Sequence, residues 1–376
     1  MTCYIGLISG TSMDGIDAVL ASFSDRSVTV DSTHTRAYPD ALRRELLAAA
    51  AAPGSASLAD YGRLHVQVAQ EFAAAAQDLL AASGRRPADV RAIGSHGQTV
   101  LHAPEADPPF SLQAGDPGAL AAITGIPVVA DFRNMDLALG GQGAPLVPAF
   151  HRFAFGNPKE DRALVNIGGI ANITRLPANG PVTGFDTGPG NTLLDDWYRR
   201  HHQDAFDRGG AWAAGGSVHG DLLDALRGDT YFAAPAPKST GTDYFCGAWV
   251  DRALGRVDSQ PGAQDTQATL AELSAATIAD ALAAGPDMPA MLAVCGGGAH
   301  NADLATRLQR RLPGTTVDTT ARWGIDPDWV EATAFAWLAQ ERLAGRPGNV
   351  PTVTGAKTSA PLGGIYLPPG NALRQM

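Results

Sequence analysis

Three short stretches of this chain concentrate residue types that can do chemistry. Near the start, Gly10, Thr11, Ser12, Met13, Asp14, Gly15, Ile16 and Asp17 spell GTSMDGID, which packs glycines, hydroxyls and acids into one turn. Glycine permits close backbone approach, and free amides and hydroxyls suit an anionic guest such as phosphate. The second stretch is GFDTGPGN, Gly184 to Asn191, where Asp186 ends a short strand and enters a rigid glycine-proline loop. A carboxylate there is either a general base, which needs only hydrogen-bond reach and a suitable pKa, or an acid that caps the turn. The third is Glu331, which shares a helical face with Phe335 and Leu338 where apolar residues are expected. An acid on that stripe is paired or functional, or else a first-turn acid favoured by the helix dipole.

Weaker candidates lie between these stretches. His96 and His102 flank a polar run that includes Gln98, and Arg133, Asn134 and Asp136 crowd a later loop. No third ligand stands at a clear spacing from the histidines, so metal binding is disfavoured. Hydrogen bonding to a substrate by His96, Gln98 or Arg133 competes with a plain structural role.

The elements that must position these groups follow from the pattern. Cys3 to Ser9 reads as a buried strand, and after the Gly10–Gly15 turn the segments Ile16–Phe23 and Ser27–Thr35 are again rich in strand formers. Strand, turn and strand without a Gly-Lys-Ser/Thr ending disfavour a Walker phosphate loop, which opens a helix. Alanine-rich helices are expected over Ala41–Ala51 and Ala56–Gly84, the second stopping at a glycine. Val90–His102 reads as a strand running into a polar, glycine-rich loop, and Gly125–Pro148 as a strand followed by a long irregular stretch of the kind that carries binding groups.

At Leu164 the opening pattern returns. Leu164–Leu176 contains Asn166, Gly168, Gly169 and Asn172 in a second strand, glycine turn and strand, followed by helices over Asn191–His202 and Ser217–Gly228. A later strand, Met291–Cys295, leads through Gly296, Gly297 and Gly298 toward an amphipathic helix. The chain therefore reads as two similar α/β halves, 1–155 and 156–376, with room for the final helix to pack back on the first. Two facing glycine turns could each offer amides to one end of a triphosphate, whereas a single such hairpin would be only a turn.

Composition bounds the function. The 376 residues carry a formal net charge of −10, with 45% hydrophobic and 18% charged residues. That balance is globular rather than disordered, and it argues against nucleic-acid or anionic-membrane partners, which are met by basic surface. Three cysteines, Cys3, Cys246 and Cys295, lack metal-ligand spacing and read as reduced thiols. The start has no signal-peptide pattern and no run is apolar enough to span a membrane, so a cytoplasmic protein is expected.

GLISGTSMDGIDAVL, IGSHGQTVLH, VVADFRNMDLALGGQGAPLVP, NIGGIANIT, GFDTGPGNTLLD, CGGGAHN and GIDPDWVEATAFAWLA, in this order, resemble the anhydro-N-acetylmuramic acid kinases of bacterial cell-wall recycling. The likeness runs from Ile5 to LGGIYLP at Leu362–Pro368; the last residues, PGNALRQM, have no clear counterpart. It implies a two-domain α/β fold of the sugar kinase, heat-shock chaperone and actin type (ribonuclease H-like), with ATP in an interdomain cleft. By the same resemblance Gly10–Asp17 is the ATP phosphate loop, Asn166–Asn172 its counterpart, and Gly296–Gly298 lies near the adenosine. Asp186 matches the catalytic aspartate, and Glu331 the substrate-facing segment. Arg133, His96, Gln98 and Asn191 are assigned to the sugar, and Asp14 to the Mg2+ side of ATP. A homodimer is also implied. Two readings compete: a kinase of plain 1,6-anhydroglucose with the same catalytic groups, and an ATP-gated chaperone or filament protein needing no water-activating base.

Overall fold

The run CYIGLIS is apolar from end to end, and it forms β1 (Cys3–Ser9), a strand buried at every residue. The computed structural model describes residues 2–10, 12–24, 27–236 and 238–370. Two α/β units emerge, one made of Met1–Ala154 and Trp329–Met376, the other of Phe155–Asp328.

In the first unit β2 (Gly15–Ser24) and β3 (Ser27–Ala37) extend β1 as an antiparallel meander. Helices α1 (Asp40–Ala51) and α2 (Leu58–Ser83) come next. Ser57 caps α2 in a reciprocal box with Asp60, and Gly84 ends it in the left-handed region, as its position after an alanine-rich run predicts. β4 (Val90–Ala103) then runs parallel to β1. β5 (Phe110–Ala114), α3 (Pro117–Thr124), β6 (Val128–Ala130), α4 (Asn134–Ala138) and α5 (Val147–Phe155) follow.

The second unit repeats the scheme. β7 (Arg162–Ile167), β8 (Ile170–Leu176) and β9 (Thr183–Pro189) form an antiparallel meander. Six helices follow: α6 (Thr192–His201), α7 (Ala211–Ala214), α8 (Gly220–Arg227), α9 (Thr230–Ala233), α10 (Gly247–Leu254) and α11 (Ala263–Ala283). β10 (Met291–Cys295) lies parallel to β7, and α12 (Ala302–Arg311) and β11 (Thr316–Thr319) close the unit. The chain then returns to the first unit with α13 (Val330–Leu343), α14 (Pro351–Thr354) and β12 (Gly364–Tyr366).

The first sheet runs β12-β6-β4-β1-β2-β3 with β5 on β4, and the second runs β11-β10-β7-β8-β9. Both units thus place three antiparallel strands beside parallel neighbours. Side chains alternate across a strand, so β1 needs two kinds of cover. Ile5 and Leu7 join Leu64, Val68 and Phe72 of α2 in one core, whereas Gly6 takes the backbone of α13 directly. A Cβ at Gly6 would strike the Ala332 carbonyl, and one at Gly94 of β4 would strike that of Phe335. In the second unit Val165, Ile167 and Ile173 pack with Ala275, Ile278 and Leu282 of α11 and Leu304 and Leu308 of α12.

Two sequence expectations are corrected here. Val90–His102 does not leave its strand for a loop: β4 continues to Ala103, held by β5 in the register Gln98 to Ala114 and His102 to Ser111. Pairing with β5 satisfies that backbone, so the polar composition conceals a strand. Asp186, expected at a strand end, sits instead in the middle of β9.

Candidate active site

In the first unit the turn between β1 and β2 is tight, with the Met13 amide donating to the Gly10 carbonyl at 3.1 Å and Met13 in the left-handed region at φ 54. Met13 and Ile16 are buried, which makes them the foundation of the loop, while Gly10, Ser12 and Asp14 face solvent. Thr11 lies outside the described residues. Arg43 of α1, which the sequence does not single out, braces the turn: its Nε donates to the Met13 carbonyl at 2.9 Å. Its Nη2 reaches the Ser12 carbonyl at 3.2 Å and Asp14 Oδ1 at 2.7 Å. Asp17 Oδ1 accepts from the Thr35 hydroxyl at 2.9 Å, and Gly15 pairs with Ala37.

Gln98 is fully buried and its Nε2 donates to the Gly10 carbonyl at 3.2 Å, tying β4 to the turn. His96 is buried beside it in sequence and lies 4.8 Å from the Phe335 ring. Nδ1 of His96 meets the Gly97 carbonyl at 2.9 Å, so it carries the proton; Nε2 then accepts from Arg133 Nε at 3.2 Å and Nη2 at 2.9 Å. Burial and the Arg133 charge hold the His96 pKa well below the usual histidine range. Arg133 also donates from Nη1 to the Gly143 carbonyl at 2.8 Å, and burial lowers its pKa to about 10. This arginine, expected on the sugar, directs all three of its nitrogens at the protein.

Glu331 opens α13, and the apolar stripe of that helix does not extend to it: Phe335 and Leu338 are buried and Glu331 is solvent-accessible. Its pKa is nevertheless raised, first by desolvation, with the Arg133 charge pulling it down and Asp17 pushing it up. Surface accessibility and desolvation together describe a recessed carboxyl in contact with water. Beside His96 a cavity of ≈ 200 Å³ is lined by Tyr61, His65, Ser111, Asp131 and Asn134 among others.

The second unit gathers the rest. Asn166 of β7 pairs with Asn172 of β8, which in turn pairs with Asp186 of β9. The Gly168 carbonyl accepts from the Asn191 amide at 2.8 Å, and the Gly169 carbonyl from the Gly190 and Thr192 amides at 2.9 and 3.1 Å. Asn191, expected on the sugar, directs its side chain to the Ile167 carbonyl at 3.1 Å. Gly296 adopts φ 75 where a Cβ would meet Asn166, Gly298 leaves no room for one beside Ile167, and a Cβ on Gly297 would lie 3.6 Å from Asn191 Nδ2. The glycine turn, the loop after β9 and the triple-glycine loop are one packed assembly.

Asp186 is half-buried, and desolvation raises its pKa to about 6, against the pull of one hydrogen bond from the Thr240 amide to Oδ2 at 3.0 Å. A carboxyl so tuned ionises just below neutral pH and accepts a proton more readily than an ordinary aspartate. Its carbonyl accepts from the Tyr231 hydroxyl at 2.7 Å, and its amide donates to the Lys238 carbonyl at 3.1 Å. Thr240, Lys238 and Tyr231 are absent from the sequence candidates, although PKSTGTDYF places a lysine before hydroxyls and a glycine, a composition that could have drawn attention.

The strand order shared by the two units is the ribonuclease H-like arrangement that two-domain sugar kinases have in common with heat-shock chaperones and actin. A family model described as anhydro-N-acetylmuramic acid kinase matches residues 2–368. The chain is 50% identical over 366 residues to the anhydro-N-acetylmuramic acid kinase of Xanthomonas campestris pv. campestris (strain 8004), covering 96% of this chain and 97% of that one. It is 47% identical over 369 residues to the protein of the same name from Saccharophagus degradans, covering 97% and 99%. The chain belongs to the anhydro-N-acetylmuramic acid kinase family and is a phosphotransferase. A ROK family glucokinase from Streptomyces griseus, solved with glucose and AMPPNP, aligns over 90% of this chain and 99% of that one at 16% identity. Its TM-score is 0.41, too loose a likeness to carry weight.

Proposed function

We propose that the chain uses ATP to open the anhydro ring of 1,6-anhydro-N-acetylmuramic acid and phosphorylate O6, with Asp186 as the general base. The observation that carries this reading is the Asp186 carboxyl itself, raised to about 6 and seated beside the second glycine turn. In the substrate O6 is an ether oxygen bonded to C1 and has no proton to lose. Water attacks C1 and passes its proton to Asp186, the C1–O6 bond breaks with its electron pair on O6, and O6 takes the γ-phosphoryl group as the bond to ADP breaks. The products are N-acetylmuramic acid 6-phosphate and ADP.

Each unit carries a glycine turn suited to phosphate, Gly10–Asp17 in the first and Gly168–Gly169 in the second, and the loop at Gly296–Gly298 offers a surface without side chains that suits adenosine. Asp14, exposed and joined to Arg43 through Oδ1, and Asp17 are the acids that would hold Mg2+. Magnesium is commonly held by one or two carboxylates with phosphates and water. When bound, the ion neutralises charge on the transferred phosphoryl group.

Glu331 is suited to hydroxyl or amide groups of the sugar. The His96 cavity, lined by no arginine or lysine among the described residues, suits a neutral polar group. His96, Gln98 and Arg133, engaged as they are, shape these surfaces through the backbone and side chains they hold, while Asn191 braces the second glycine turn through the Ile167 carbonyl. The same reading carries a cytoplasmic homodimer; among the described residues no helix is long and apolar enough to cross a membrane.

ADP release with 1,6-anhydro-N-acetylmuramic acid and with 1,6-anhydroglucose tests the assignment. Turnover restricted to the first sugar supports it. Preference for the second, or ATP hydrolysis indifferent to either, overturns it.

A further inference from the structure

The segment from Asp229 to Thr240 touches Asp186 at its amide, its carbonyl and its carboxylate. We infer that Lys238 is a positioning residue for the reaction, its ammonium locking this segment in the form that holds the Thr240 amide against Asp186 Oδ2. The inference rests on the reading of Asp186 as the base.

The Asp229 end of the segment is anchored independently of Lys238. Asp229 Oδ1 accepts from the Tyr231 amide at 2.9 Å and the Tyr244 hydroxyl at 2.8 Å, and Oδ2 from Trp249 Nε1 at 2.8 Å. At the other end the Thr240 amide is on Asp186. α9 lasts only from Thr230 to Ala233, and among the described residues no helix or strand follows it before Thr240. Lys238 bridges that gap: Nζ donates to the Tyr231 carbonyl at 2.9 Å and the Phe232 carbonyl at 3.2 Å. It also lies 4.6 Å from the centre of the Tyr231 ring and 5.9 Å from that of Phe185, next to Asp186 in β9. A cation over an aromatic face is attracted to it, the more so when shielded from water. Phe232 in turn fills the space over Gly188, where a Cβ would come within 2.8 Å of its ring.

The lock acts on the chemistry through one hydrogen bond. A carboxylate that accepts an amide hydrogen bond is favoured over its protonated form, so losing the Thr240 contact makes Asp186 harder to ionise. The titratable group that bears on Asp186 from this segment is the Tyr231 phenol, kept neutral by burial, while the Lys238 ammonium is turned to the Tyr231 and Phe232 carbonyls; across the ladder β8 presents uncharged Asn172. Lys238 is thus the charged group whose removal frees the segment.

The test uses the full chain with Lys238→Met and Lys238→Arg, reading the pH profile of kcat/KM and the Asp186 carboxyl by carbon-13 NMR, assigned through Asp186→Asn. For Lys238→Met we expect activity near pH 6 to fall about ten-fold more than activity near pH 8.5, with the carboxyl titrating at higher pH and ATP affinity unchanged. Lys238→Arg should restore the profile, since a guanidinium can also donate to both carbonyls. Thr240→Pro, which deletes the amide donor and leaves Lys238 in place, should move the carboxyl the same way and serves if the methionine variant fails to fold. An unmoved carboxyl titration in either folded variant, or a loss equal at every pH, overturns the inference. If Asp186→Asn keeps full turnover, the base assignment fails instead, and the NMR titration still reports whether Lys238 governs that carboxyl.

Discussion

Arg133 grips His96 with two nitrogens, Nε and Nη2, on the single lone pair of Nε2 at 3.2 and 2.9 Å. Protonating that nitrogen would destroy the acceptor and set two cations together. We therefore expect His96 to stay neutral, with its proton on Nδ1, from pH 5 to 8 by nitrogen-15 NMR. His96→Leu should cost about 1–3 kcal/mol in urea unfolding, because it strands buried donors of Arg133.

It follows that an acid limb near pH 6 in kcat/KM belongs to Asp186, the group raised to about 6, and not to this histidine. Asp186→Asn should reduce kcat by ~10²–10⁴-fold while leaving ATP affinity nearly intact, the range expected when a general base is lost. Equal losses in turnover and in ATP affinity, the latter measured by calorimetry, would make Asp186 a nucleotide-site residue.

The same substitution has a stability signature with a definite sign. A carboxyl raised from 3.8 to about 6 in the fold favours the folded state through its protonated form, present below the unfolded value and lost as pH rises through about 6. Asparagine never ionises, so Asp186→Asn should match the wild type near pH 4 and exceed it by about 1–3 kcal/mol at pH 8. Urea midpoints across that range check this, and a variant less stable at pH 8 would contradict the burial of charge at this position.

Arg43→Ala should loosen the turn that Arg43 braces through Met13, Ser12 and Asp14. The expected outcome is a several-fold higher KM for ATP with the global fold retained, since Arg43 is about 39% exposed on its side chain and outside the core. An unchanged KM would separate the brace from nucleotide binding.

Gly94→Ala should be far more damaging than its size suggests. The new methyl group would press on the Phe335 carbonyl of α13, which carries Glu331 at its start. The helix cannot yield without leaving the sheet, so loss of soluble protein or a penalty of several kcal/mol is expected, as for overpacked cores.

The meander at the start of each unit, the glycine turns within it and the capped alanine-rich helix were legible because strand formers, glycines and apolar periodicity are local signals. Asp186 was legible as a candidate because GFDTGPGN is an unusual local run, although that run forms strand β9 rather than a loop. What stayed hidden depends on partners far along the chain. β4 runs through glycines and polar residues from Gly94 to Thr99, and it stays a strand because β1, β6 and then β5 pair with it. The sequence places Arg133 on a loop and carries no local sign that His96 and Gly143 engage it. Arg43 is one arginine among several on helices, and nothing local marks it as the brace of a turn 29 residues away. Thr240 and Lys238 lie 54 residues or nearly so beyond the aspartate they contact.

Turnover in oxygen-18 water, with ATP, magnesium and 1,6-anhydro-N-acetylmuramic acid, bears most directly on the central claim that Asp186 activates water to open the ring. Mass analysis of the product should find one heavy oxygen at C1 and the phosphate on O6, formed together with ADP and abolished by Asp186→Asn. A phosphorylated sugar without label, or with the anhydro ring still closed, would contradict it.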